Sequence, residues 1–178
     1  MKRAYNDFKQ KRLWHRIDYD NYPKWHWYQC TDLIKQYLDE CLWWWKVQAL
    51  GNANQIPANL EKKWFWKIDP NKSIIQWDII VRTKGNYWHI AIVDRIIQDY
   101  VYVLEQNWSW KNSWSWEWEN AIRIKSYHIS RFQVVLRNED IIRNYNSEMT
   151  YVKEKLEERE VLLRDTIDYK NSLKYPFI

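Results

Sequence analysis

The chain has 178 residues, a formal charge of +5 and a sequence pI of about 9.0. This length suits one domain with an appendage. No apolar run is long enough to cross a membrane, and two cysteines do not make a disulfide framework. A basic surface favours polyanions. The central region carries no dense Lys/Arg block and no nucleic-acid motif, which leaves a solvated, mildly basic surface or another polyanion as the reading of the charge.

Residues 1–13 form a basic arm, a helix or a frayed end, without the apolar stretch of a signal peptide. Asp18-Tyr19-Asp20-Asn21-Tyr22-Pro23 is a turn-rich acidic loop. Beyond Gln29-Cys30-Thr31-Asp32, the residues Leu33, Ile34, Tyr37, Leu38 and Cys41 recur at steps of three and four. This spacing predicts a helix over 30–42 with Cys30 in its first turn. A helix N-terminus favours an anion, and the thiolate is the attacking form of a cysteine. Cys41, on the apolar face, reads as a small buried hydrophobe.

Residues 54–67 read as irregular with a short helix. Strands are predicted near 78–83, 88–95, 100–105, 120–124 and 132–136, with Gln98-Asp99 as a turn between the second and third. Helices first and antiparallel strands afterwards predict an α+β fold, with N-terminal helices packed on an antiparallel sheet. From Asn138 onward Tyr145, Met149, Val152, Leu156 and Leu163 mark one long amphipathic helix. It either packs back on the domain or pairs with a second copy as a coiled-coil homodimer. The expected division is 1–13, 14–137 and 138–178.

Three further positions complete a chemical set with Cys30. His89 opens the apolar strand Ile90-Ala91-Ile92-Val93, and Glu105 and Asn107 end the next one. Adjacent antiparallel strands would bring one of the two beside His89 to fix its tautomer. Together these are the parts of a thiol nucleophile with its base and orienting group. His15, His26 and His128 have no such context and read as surface or packing residues.

The ordered boxes Trp27-Tyr28-Gln29-Cys30-Thr31-Asp32, Trp77-Asp78-Ile79-Ile80, Trp88-His89-Ile90-Ala91-Ile92-Val93 and Glu105-Gln106-Asn107 resemble the CHAP family. These are cysteine- and histidine-dependent amidohydrolases/peptidases that cut bacterial peptidoglycan. The resemblance covers residues 14–137 and implies a papain-like CHAP fold. Carried over, Cys30 is the nucleophile, His89 the base, Glu105 and Asn107 the orienting residues, and Gln29 helps bind the oxyanion. Some members bind calcium ahead of the nucleophile, and Asp18, Asp20 and Asp32 occupy similar places. Hard oxygen ligands suit Ca²⁺, while Asp18 and Asp20 read equally well as turn formers.

One departure from the family is systematic. Trp27, Trp77, Trp88 and Trp108 stand where the family has glycine, and the chain holds 15 Trp against 2 Gly. Read with glycine at each Trp, the segment 108–118 becomes an ordinary Gly/Ser-rich loop. The expectation is a UGA codon translated as tryptophan where its source reads glycine. The other reading is a truly Trp-rich surface that stacks on sugars or bases.

The resemblance thus implies a peptidoglycan hydrolase that cuts an amide bond, as an N-acetylmuramoyl-L-alanine amidase or as an endopeptidase of the stem or cross-bridge. It would act on the wall outside the cytoplasm and need no cofactor beyond the calcium just named. The reading from a different class is a non-catalytic, aromatic-rich module that binds wall glycan or nucleic acid.

Overall fold

The computed structural model describes residues 5–19, 29–42, 50–70, 73–84, 88–106 and 121–174. Two compact units emerge, residues 1–142 and 143–178. The first is α+β. Among its described residues three α-helices, α1 (Tyr5–Arg12), α2 (Cys30–Leu42) and α3 (Ile56–Glu61), precede all of the strands. These are β1 (Trp66–Ile68), β2 (Ile79–Arg82), β3 (His89–Ile97), β4 (Tyr100–Glu105), β5 (Arg123–His128) and β6 (Val134–Arg137). They form one sheet in the order β1-β6-β2-β3-β4-β5, and every neighbouring pair is antiparallel.

The predicted helix over 30–42 is present with those bounds, and its spaced apolar residues are all buried. The sheet differs from expectation at its two edges. β1 falls in a stretch read as irregular, because three residues are too few to show an alternation. β5 begins three residues later than expected and runs on to His128. Residues 129–131, just ahead of the expected last strand, make a single 3₁₀ turn. The His128 side chain accepts the Ser130 N–H there and caps the turn.

The central strands are apolar on both faces, which is why they read as continuous runs rather than alternations. Ile80, Ala91, Val93, Val101, Val103, Tyr127, Phe132 and Val135 make one buried cluster. The alternate residues Ile79, Val81, Ile90, Ile92, Leu104 and Leu136 are fully buried too. Two buried acids lock the frame. Arg137 donates through Nε to Asp78 Oδ1 (2.7 Å) and through Nη2 to Asp78 Oδ2 (2.6 Å), pinning the end of β6 to the start of β2. Burial pushes the Asp78 carboxyl up, the bonds from Arg137 and the Ile75 N–H pull it back, and the net direction is upward. Asp94 sits at a register shift in β3 and accepts from Lys9 Nζ at 2.8 Å, which holds α1 against the strand.

Trp14, Trp64 and Trp77 have φ of 67°, 69° and 77°, in the left-handed region that also holds Gln98 (54°) and Gly51 (74°). Trp66 and Trp88 lie outside that region.

The second unit is the greater part of α4 (Glu139–Lys174). It is a helix as expected, with Met149, Val152, Leu156 and Leu163 exposed along it. No described helix is long and apolar enough to cross a membrane.

Candidate active site

Cys30 is the first residue of α2 and is buried. The turn that presents it is closed by a reciprocal pair. The Asp32 N–H donates to the Gln29 carbonyl (3.0 Å) and the Gln29 N–H donates to Asp32 Oδ2 (2.8 Å). The second bond is the reach-back half of a capping box, with Gln29 at the cap and Asp32 three residues on. Asp32 is thus built into the start of α2, and its Oδ1 lies 3.8 Å from Lys35 Nζ.

Gln106, between the two residues singled out at the end of β4, is fully buried and reaches back to the same turn. Its Nε2 donates to the Ile17 carbonyl (2.7 Å) and the Gln29 carbonyl (3.1 Å), while its Oε1 accepts the Ile17 N–H (2.9 Å). One amide therefore ties the approach to α2, and the residue before Cys30, to the strand that carries Glu105.

His89 begins β3 and Glu105 ends β4. Ile92 pairs with Leu104; continuing that register brings Glu105 opposite Ala91, one diagonal step from His89. His89 Nε2 is 3.2 Å from Glu105 Oε2, and both side chains are buried. Burial pulls the His89 imidazole down, but hydrogen bonds to Cys30 and Glu105 and their negative charge outweigh it, so the net direction is up. Cys30, His89 and Glu105 thus meet in sequence order, thiol to ring to carboxylate.

Glu105 has further partners on β5 that the residue pattern did not single out. The Tyr127 hydroxyl lies 3.1 and 3.0 Å from its two oxygens, and Arg123 Nε donates to Oε1 at 3.2 Å. Burial pushes the carboxyl up, yet His89, the Tyr127 hydroxyl and Arg123 together bring it below the usual carboxylate range. The signal was the two-residue period of β5, which sets Arg123 and Tyr127 on one face.

The remaining expected site residues divide. Asn107 and Asp20 lie outside the described residues, as do Trp27 and Trp108. Gln29 is half-buried beside Cys30. Asp18 Oδ1 is buried and, among the described residues, accepts no hydrogen bond, which suits a cation. Asp32, in contrast, is engaged by a backbone N–H and flanked by an ammonium. Among the described residues no three His, Cys, Asp or Glu side chains group as metal ligands.

The model of the CHAP domain family matches residues 17–107, just over half the chain and the span from the Gln106-bound Ile17 to the end of β4. The chain belongs to the CHAP domain family. Its CHAP fold is similar to that of the wild-type endolysin LysIME-EF1, with 21% identity and a TM-score of 0.55 over 78% of this chain and 65% of that one. A second solved structure, Ly7917, aligns at 15% identity and a TM-score of 0.47 over 62% of this chain and 53% of that one. The chain spans less than two thirds of the length of either. No curated protein matches it.

Proposed function

We propose that this CHAP domain is a peptidoglycan hydrolase that cuts an amide bond through Cys30. The observation that carries the reading is the buried relay in which His89 bonds both Cys30 and Glu105. With Nε2 turned to Glu105, the other ring nitrogen is left for the thiol. His89 takes the thiol proton, and the thiolate attacks the amide carbonyl. The oxyanion is held by the Cys30 backbone N–H at the start of α2, with the Gln29 side chain as second donor. His89 protonates the leaving amine, then activates a water that cleaves the thioester. Glu105 holds the ring and stabilises the imidazolium between these steps. Asn107 shares that orienting role.

The fold shared with an endolysin and the basic charge both favour an anionic wall as substrate. The site of action is then outside the cytoplasm. Amidase and stem or cross-bridge endopeptidase activities use the same relay. In this reading α4 pairs two copies through Met149, Val152, Leu156 and Leu163, a dimer that light scattering would register.

The test is digestion of purified peptidoglycan. Amide cleavage releases new amino groups without new reducing ends, and mass spectrometry of the fragments identifies the bond. New reducing ends, or no release at all, would overturn the reading.

A further inference from the structure

Glu105 is fully buried, and an ionised carboxylate there needs compensation. His89 supplies one partner from β3; the others come from β5. Arg123 pairs with Glu105 across the ladder. Tyr127 stands opposite Val101, four residues back along β4, and its ring carries the hydroxyl to both Glu105 oxygens. That ring is fixed edge-on by Phe132, with centroids 5.8 Å apart. Lys125 Nζ and Arg131 Cζ lie 5.4 and 5.8 Å from its centroid. The charged groups around the carboxylate are thus His89 and, beyond it, Cys30, with Arg123, Lys125 and Arg131 on the β5 side.

We propose that Tyr127, assisted by Arg123, is a positioning residue of the relay: its hydroxyl holds the buried Glu105 as a carboxylate aimed at His89. The proposal rests on the catalytic reading of Cys30, His89 and Glu105, but its test does not need a substrate. The His89 ring resonances report the protonation of Glu105 when the protein is titrated by NMR. In Tyr127→Phe the ring stays against Phe132 and only the hydroxyl is lost. A hydrogen bond to a charged group is worth enough to move the acid-side inflection of His89 upward by about one pH unit. Arg123→Gln moves it the same way by less, and serves if Tyr127→Phe fails to fold. The acid limb of kcat should follow the same shift while KM stays put. An acid-side inflection unmoved in both folded variants would overturn the proposal. Shifted inflections in a chain that releases no wall fragments would instead sink the substrate reading alone.

A different observation carries a second inference. A bulky side chain in the left-handed region is a genuine outlier, because its Cβ crowds the following carbonyl oxygen. Three of the five described tryptophans sit there. Trp14 follows the end of α1. Trp64 precedes Phe65, whose N–H reaches back to the Leu60 carbonyl at 3.2 Å. That six-residue closure is the Schellman helix end, whose left-handed position is usually glycine. Trp77 meets Val93 at the head of β2, its N–H on the Val93 carbonyl.

We infer that the natural chain carries glycine at positions 14, 64 and 77, from a codon that one genetic code reads as tryptophan and another as glycine. Peptide mass spectrometry of the protein from its own host should find glycine at all three. Tryptophan masses there would overturn the inference. In the chain as it stands, Trp64 is 88% exposed, so Trp64→Gly loses no burial and should raise Tm by a few degrees. An unchanged or lower Tm would count against the strain argument.

Discussion

His89 Nε2 and Glu105 Oε2 stand 3.2 Å apart, one on the first residue of β3 and one on the last of β4. The two groups move in opposite directions, Glu105 below its ordinary 4.5 and His89 above its ordinary 6.5. The contribution of Glu105 is present above its unfolded value and is lost as pH falls through its lower folded value. That of His89 is present below its unfolded value and is lost as pH rises through its higher folded value. The stability difference between the parent and Glu105→Gln should therefore peak between those two ordinary values and narrow on both sides. Thermal unfolding of both proteins across pH checks this, and a difference that is flat with pH would contradict the pairing.

Asp78 and Arg137 should matter to the fold rather than to the reaction. Removing one partner of a buried pair leaves an uncompensated charge, at about 3–5 kcal/mol. Arg137→Met should lose stability on that scale, and Asp78→Leu with Arg137→Met should recover part of it. Denaturant melts of the two variants test this; a double variant weaker than the single one would show that the pair does more than satisfy itself.

Calcium offers a further test of the turn before the nucleophile. Asp32 is held by the Gln29 N–H and flanked by Lys35, so protein groups alone can position it at the start of α2. Chelation should leave wall cleavage within about twofold, below the level at which a specific contact would register. Loss of activity that calcium alone restores would show that Asp18, Asp20 and Asp32 form a site after all.

How much of this was legible in the sequence follows from the strength of each local pattern. α2 declared itself because five apolar residues recur at helical spacing behind Cys30, and all five are buried. β3 and β4 declared themselves as apolar runs around a turn, which placed Glu105 beside His89. β5 declared itself only in part, over 120–124 instead of 123–128, because Arg123-Ile124-Lys125-Ser126-Tyr127-His128 is mostly polar at a sheet edge, and edge strands carry charge for reasons of their own. Tyr127 lay beyond the expected end of that strand, and nothing local marked Arg123 as a partner of Glu105. Gln106 was hidden differently: its polar neighbours drew the attention, while its own work is a tertiary tie to Ile17 and Gln29 that no local pattern encodes.

The central claim is that Cys30 attacks the substrate, and its most direct test is Cys30→Ala on purified peptidoglycan. The buried thiol gives way to a methyl of similar size, so melting should change little. Release of new amino groups should fall to the level without enzyme, while Cys41→Ala, altered on the apolar face of the same helix, should keep its activity. A folded Cys30→Ala that releases amino groups as fast as the parent would contradict the account.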